Sequence, residues 1–118
     1  MRDHTKLKVF QLADQLAVHI YQSTRNFPAE EKYGLSSQMR RAAVSTPCNI
    51  VEGCARNTEK DFLRFLDIAY GSARELEYQV SLATRLGFLD QDKPSSLKGR
   101  SEEVSKTLNA LIRKIRNS

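Results

Sequence analysis

Residues that end secondary-structure elements are scarce in this chain. Its 118 residues include only five glycines and three prolines, and tryptophan is absent. Because glycine and proline dominate turns, so few of them predict a small number of long elements. Apolar residues make up 40% and charged residues 28% of the chain, which is typical of a globular domain and not of a disordered segment. The length fits one domain, which we expect to span residues 1–118.

Two further absences bear on where the protein is located. No apolar run approaches the roughly 18 residues that a membrane span requires, and the first residues contain no secretory apolar segment. The two cysteines, Cys48 and Cys54, are six positions apart, so on a helix they point to different sides and cannot bridge. Their spacing does not suit a metal site either. We therefore expect a cytoplasmic protein with two free thiols and no membrane partner.

Apolar residues recur every three or four positions in four segments, which is the periodicity of amphipathic helices. The pattern predicts helices over about 6–25, 30–56, 58–87 and 95–116. Pro47 inside the second helix predicts a kink or a break, because proline removes one backbone hydrogen bond. No strand-like alternation occurs. Four such helices with short connections predict an all-α fold, an antiparallel up-down-up-down four-helix bundle.

The third helix has the most regular pattern. Its apolar residues are spaced alternately four and three positions apart: Phe62, Leu66, Ala69, Ala73, Leu76, Val80 and Ala83. A seam with this spacing faces the core along its whole length. Thr58 and Asp61 have the spacing of a helix cap at its start. In the fourth helix the predicted core stripe is Val104, Leu108, Leu111 and Ile115.

Few residues are suited to enzyme chemistry. Carboxylate-bridged metal sites in helical bundles use a Glu-x-x-His spacing, and neither His4 nor His19 has a glutamate at that offset. A glycine-rich phosphate loop is absent, and no serine and carboxylate can be placed around His19 for nucleophilic catalysis. We therefore expect no enzymatic activity, no cofactor and no metal site.

The second predicted helix has an ordered polar stripe beside its core face. Six polar residues at intervals of three or four form this stripe: Gln38, Arg41, Ser45, Asn49, Glu52 and Arg56. The spacing places all six on one side of the helix. Three interpretations are open: a solvated face with local pairs, a partly buried network that sets helix register or subunit packing, and a ligand or catalytic site. The network is favoured, because one glutamate without a nearby histidine is poor material for acid–base catalysis.

The net charge is +5, and it is unevenly distributed along the chain. Residues 58–90 contain more acidic than basic side chains, whereas residues 98–118 contain six basic and two acidic ones. A basic helix of this kind suits nucleic acid or an acidic protein surface, and the composition leaves both open.

Two long stretches support a family resemblance: FPAEEKYGLSSQMRRAAVSTPCNIVEG (27–53) and DFLRFLDIAYGSARELEYQVSLATRLGFL (61–89). The most specific positions include Phe27, Pro28, Gln38, Arg41, Ser45, Asn49, Ile50, Glu52, Gly53, Gly71, Ser72, Glu75 and Glu77. Through them the chain resembles the four-helix bundle proteins encoded in intervening sequences of bacterial large-subunit ribosomal RNA genes. That family is similar in turn to the accessory variability protein of diversity-generating retroelements.

The resemblance implies a bundle that assembles as a homopentamer with a central opening. The retroelement relatives are basic, bind nucleic acid and associate with a reverse transcriptase, and the family has no catalytic residues. The resemblance also favours assembly as the role of the polar stripe, whose members would pair with Asp61, Glu75 or Glu77 within or between subunits. Cys48 and Cys54 depart from the family pattern, since small residues would serve at both positions.

Together these observations predict a non-enzymatic, homo-oligomeric helical bundle that binds structured nucleic acid, RNA or DNA, through basic surface. The alternative is a protein–protein adaptor or scaffold, with a reverse transcriptase or another protein as partner and no direct contact with nucleic acid. The candidate nucleic-acid contacts are the basic residues expected to be exposed: Arg40, Lys60, Lys98, Arg100, Lys106, Arg113, Lys114 and Arg116. No aromatic platform is obvious among them, so we expect contacts with phosphates more than with bases.

Overall fold

A computed structural model describes residues 1–90 and 96–118 of the chain. These residues form four α-helices: α1 (Lys8–Thr24), α2 (Leu35–Cys54), α3 (Glu59–Arg85) and α4 (Leu97–Arg116). Single 3₁₀ turns at His4–Lys6 and Ala29–Glu31 precede α1 and α2. No strand occurs in the described part of the chain, which confirms the all-helical prediction.

Contacts between the helices show that sequential helices run antiparallel. Gly53 at the end of α2 lies against Phe62 at the start of α3. Arg116, the last residue of α4, pairs with Asp67 in the first half of α3. Each helix packs against two others, and the diagonal pairs, α1–α3 and α2–α4, are not direct neighbours among the described residues. The helices therefore surround one core in the arrangement of a four-helix bundle.

The start of α2 differs from its prediction. The helix begins at Leu35 and not near residue 30, because Gly34 has backbone angles of φ −110° and ψ −116°, outside the helical region. The residues before it form the separate 3₁₀ turn Ala29–Glu31. The Glu31 carboxylate accepts a hydrogen bond from the Leu35 amide (3.2 Å), which satisfies one of the free donors at the new helix start.

Pro47 lies inside α2 without ending it, so the break does not occur, and the kink, the other predicted outcome, stays a prediction. The proline leaves one carbonyl, four residues earlier, without its usual amide donor. Side chains bond to other carbonyls nearby: the Thr46 hydroxyl donates to Ala42 (3.1 Å), and the Asn49 side-chain amide donates to Ser45 (2.8 Å). The proline ring is buried against the core, and this burial offsets the lost hydrogen bond.

The predicted seam of α3 is confirmed, because all seven of its residues are buried. The helix begins at Glu59, one residue after Thr58, whose hydroxyl oxygen accepts a hydrogen bond from the Asp61 amide (3.1 Å). It ends at Arg85, where Gly87 follows with φ +83°, a conformation that glycine adopts without strain.

The core face of α4 is rotated from its prediction. Val104 and Leu108 are buried as expected, but the next core residue is Ile112, while Leu111 and Ile115 pack half-buried at the edge. The predicted start at residue 95 lies outside the described residues, and α4 begins at Leu97 after a Ser96 cap.

Two buried serines explain this rotation. Ser101 donates to the Lys98 carbonyl (3.0 Å), and Ser105 donates to the carboxylate of Glu77 on α3. Because both hydroxyls are hydrogen-bonded, these small polar residues take core positions at little cost. The helix therefore packs its serine side against α3, and Ile112, which lies on the same side of the helix, is buried in the core.

Candidate functional site

The polar stripe of α2 divides into an inner and an outer set. Ser45 and Asn49 belong to the inner set: they are half-buried and face α3, where the hydroxyl oxygens of Ser45 and Ser72 are 2.8 Å apart. The Asn49 amide donates to both the carbonyl and the hydroxyl oxygen of Ser45, at 2.8 and 3.1 Å. This network joins the middle of α2 to the middle of α3 and favours one register between them.

Glu52 and Arg56 form a local ion pair at the end of the stripe. Their nearest nitrogen and oxygen are 2.6 Å apart, and both side chains are roughly half exposed (52% and 41%). The Arg56 guanidinium also lies over the Phe65 ring, 4.7 Å from its centroid. A pair this exposed contributes about 0.3–0.5 kcal/mol to stability, which matches the solvated-face interpretation for this part of the stripe.

Gln38 and Arg41 project outward and make no hydrogen bond or ion pair with any residue that the structure describes. The acids predicted to pair with the stripe have other partners: Asp61 pairs with Arg64, Glu77 with Arg74 and Glu75 with Gln79. The prediction that the stripe pairs with these acids within one subunit is therefore wrong. Pairing between subunits stays a prediction.

The candidate basic residues lie in different environments. Lys106, Arg113 and Lys114 are exposed on α4 and have no ion-pair partner among the described residues, and we call these three the α4 basic surface. From residue 106 to residue 118 the chain contains four basic side chains and no acidic one. The fourth, Arg116, is exposed but pairs with Asp67 of α3.

The other four candidates lie near the starts of three helices: one on α2, one on α3 and two on α4. Lys60 is exposed in the first turn of α3, Lys98 is exposed in the first turn of α4, and Arg100 is half-buried beside it. Arg40 is not the free surface cation that was predicted, because its side chain is hydrogen-bonded to the end of α1. Lys106, Arg113 and Lys114 are therefore the exposed candidates on α4 without an ion-pair partner among the described residues, and Arg100 lines a shallow pocket with Lys106, Glu102 and Glu103.

A cleft that the sequence analysis missed lies between the end of α1 and the start of α2. This α1–α2 cleft has a volume of about 760 Å³. Its described lining has no acidic residue and four basic ones: Arg25, Lys32, Arg40 and Arg41. Tyr21 and Tyr33, both exposed, add aromatic rings. The sequence feature that could have indicated this cleft is the mixture of basic and aromatic residues in the connection between α1 and α2. These basic residues come together in one site only when α1 packs on α2.

Other kinds of site find little support in the described residues. They contain no group of three or more histidine, cysteine, aspartate or glutamate side chains that could hold a metal ion. None of their helices is both long and apolar enough to cross a membrane. Both cysteines are free, with Cys48 exposed and Cys54 buried. Burial raises the pKa of the Cys54 thiol, which makes it a poor nucleophile.

Comparisons with known proteins agree with the helical architecture. A sequence profile of the 23S rRNA-intervening sequence protein family matches residues 5–110. Among solved structures, the chain is similar to a protein of unknown function from the S23 ribosomal protein family of Bacteroides thetaiotaomicron, with a TM-score of 0.79 and 26% sequence identity. That alignment covers 89% of this chain and 95% of that chain. A search of curated proteins found no match. Because the profile spans most of the sequence, the chain belongs to the 23S rRNA-intervening sequence protein family.

Proposed function

We propose that this protein is a non-enzymatic, homo-oligomeric helical bundle that binds structured nucleic acid through the α4 basic surface. The observation that carries the proposal is the grouping of Lys106, Arg113 and Lys114 on a stretch of helix without acidic residues. Positions 106 and 113 are seven apart and therefore lie on one face, with Lys114 beside them. Such a row of exposed cations can contact consecutive phosphates and release their counterions.

Assembly strengthens this electrostatic effect. A single copy has a net charge of +5, which is modest for a nucleic-acid-binding protein. Five copies, the number that the family resemblance implies, would together have a charge of about +25 and would present several α4 basic surfaces to one ligand.

Removing the α4 basic surface is expected to weaken binding and its dependence on salt. The variant combines Lys106→Ala, Arg113→Ala and Lys114→Ala. If each side chain contacts one phosphate of a duplex, the slope of log affinity against log salt concentration should flatten by about 2.7. The measurement is fluorescence anisotropy with an RNA hairpin and a DNA duplex of matched length, between about 50 and 200 mM salt.

A matched control removes the same charge elsewhere, through Lys8→Ala, Arg64→Ala and Arg85→Ala on α1 and α3. These exposed residues should leave the salt slope unchanged. Equal slopes for both triple variants would contradict the role of the α4 basic surface. Absence of binding to either nucleic acid at the lowest salt, by an assembled protein, would reject the nucleic-acid role and favour the adaptor alternative.

In this proposal, assembly uses the outer members of the polar stripe. Arg41 and Gln38 have no partner in the described chain, and exposed Val44 and Cys48 lie on the same side of α2. Unpaired hydrogen-bonding groups beside exposed apolar surface are suited to contact with a second copy.

Arg41→Ala is expected to lower both the oligomer mass and the melting temperature of the assembled protein, because it removes a charged contact between copies. A role within one chain predicts no change, since no described residue bonds to Arg41. Light-scattering mass and thermal melting followed by circular dichroism measure the two effects. Glu52→Ala is a second test, and Arg85→Ala is the control because its described hydrogen bond stays within α3. Full assembly and an unchanged melting temperature in both test variants would reject this role.

A further inference from the structure

The α1–α2 cleft contains a guanidinium that is held in place before any ligand arrives. The Arg40 Nε donates to the Thr24 hydroxyl oxygen (2.8 Å), and its terminal nitrogen donates to the Tyr21 carbonyl (3.2 Å). The guanidinium carbon lies 4.7 Å from the centroid of the Tyr21 ring. Thr24 is buried and donates its own proton to the Ile20 carbonyl (2.7 Å). A side chain with this much support loses little further entropy when it binds an anion.

A serine whose hydroxyl has no hydrogen-bond partner among the described residues lies in the same cleft. Ser36 is only 7% exposed, lines the cleft, and forms no hydrogen bond with the described residues. Because the Ser36 hydroxyl oxygen itself is open to solvent, it is available to donate to a group that enters the cleft. Ser36 is also the second residue of α2, where backbone amides lack helical acceptors and the helix dipole favours negative charge. The Glu31 carboxylate accepts a hydrogen bond from the Leu35 amide. The backbone amides of Ser36 and Ser37 remain free to donate to a bound anion.

An aromatic ring at the cleft offers a second kind of contact. Tyr33 is 88% exposed, and the Lys32 ammonium lies 5.5 Å from its ring centroid. A ring this exposed can stack with an unpaired base. The neighbouring cations can contact the phosphates of the same nucleic-acid segment. Arg25, Lys32 and Arg40 add positive charge, and the described lining itself contains no acidic residue, although the Glu31 carboxylate lies nearby at the Leu35 amide.

We infer that the α1–α2 cleft binds a single-stranded segment of nucleic acid, with a phosphate near Arg40 and Ser36 and a base stacked on Tyr33. The inference rests on the proposed function and adds the type of segment that the protein recognises. A continuous duplex is disfavoured, because its bases are already stacked on each other and cannot stack on Tyr33 as well. A loop or overhang of a folded nucleic acid satisfies both this cleft and the α4 basic surface.

The test compares Tyr33→Ala with Tyr78→Ala, a matched control. Tyr78 is also an exposed tyrosine beside a cation, since the Arg85 guanidinium lies 6.0 Å from its ring centroid, but it is on α3. The probes are a fluorescein-labelled single-stranded oligonucleotide of about ten nucleotides and a duplex of the same length, followed by anisotropy. Tyr33→Ala should weaken single-strand binding about tenfold and leave duplex binding unchanged. Tyr78→Ala should change neither.

A charge variant tests the phosphate contacts separately. Arg25→Ala combined with Lys32→Ala should flatten the salt slope for the single strand by about 1.4, and both side chains are exposed enough that the fold should survive. Circular dichroism melting checks this. If the wild type binds single strands but Tyr33→Ala behaves like Tyr78→Ala, or the charge variant keeps the full slope, the inference is overturned.

The two proposals fail in different ways. A wild-type protein that binds duplex but not single strands overturns the cleft inference and leaves the proposed function intact. A wild-type protein that binds neither probe at low salt overturns both.

Discussion

Replacing Ile112 with alanine is expected to lower the free energy of unfolding by about 2–5 kcal/mol. The side chain is 4% exposed and belongs to the core, so its truncation removes buried apolar surface and leaves a cavity that the packed helices fill only in part. Ile115 on the same helix is the matched control. It is half-buried at the edge, where neighbours and water can fill the gap, so Ile115→Ala should cost about half as much or less.

Urea denaturation followed by circular dichroism measures both variants at equal protein concentrations, because any self-association would make the measured stability depend on concentration. The comparison tests the rotation of α4 directly. If Ile115→Ala costs as much as Ile112→Ala, or more, then α4 presents the face predicted from its apolar periodicity and not the face with Ser101 and Ser105.

Gly53→Val is expected to destabilise the protein by about 3 kcal/mol. Gly53 is buried at the end of α2, and an added Cβ would lie 3.0 Å from the Phe65 Cβ and 3.2 Å from the Phe62 carbonyl oxygen. One of these contacts is with backbone, so a rotamer change cannot relieve it, and the ends of α2 and α3 would have to separate. The expected loss corresponds to a fall in melting temperature of roughly 10 °C or more for a domain of this size.

Gly71→Val is the matched control for this substitution. Gly71 is exposed in the middle of α3, and an added Cβ would meet nothing within 4 Å. Because valine has a higher helix propensity than glycine, this variant should be within about 0.5 kcal/mol of the wild type or slightly more stable. Thermal melting of the two variants side by side checks the difference. Similar losses at both positions would mean that the close approach at Gly53 is absent.

The burial of α3 could be predicted from the sequence because its signal is local and long. Over 27 residues this helix packs against both α2 and α4, so every residue of its seam meets the core and the pattern is uninterrupted. The cap at Thr58 is equally local, since it depends on an amide three residues away. In the polar stripe, Ser45 and Asn49 form a partly buried network whose partner on α3 is a serine and not an acid, and the role of the stripe in assembly stays a prediction.

The partners of charged residues could not be predicted in the same way. A guanidinium or carboxylate at the end of a flexible side chain has several acceptors or donors within reach, and the choice depends on small differences between them. Glu77 illustrates this, because it bonds to Arg74 on its own helix and to Ser105 on α4, and not to the polar stripe. Arg40 likewise turned from a predicted surface cation into part of the contact between α1 and α2.

The sequence by itself determined the helical class, the number of helices and the core seam of α3, because apolar periodicity and caps depend on residues within one or two turns. Only the tertiary structure decided the rotation of α4 and the existence of the α1–α2 cleft. Both depend on contacts between residues far apart in the chain: Ser105 with Glu77, and Arg40 with Thr24. Such contacts form only when helices pack, and the free energy of packing, not local propensity, selects among the faces that each helix could bury.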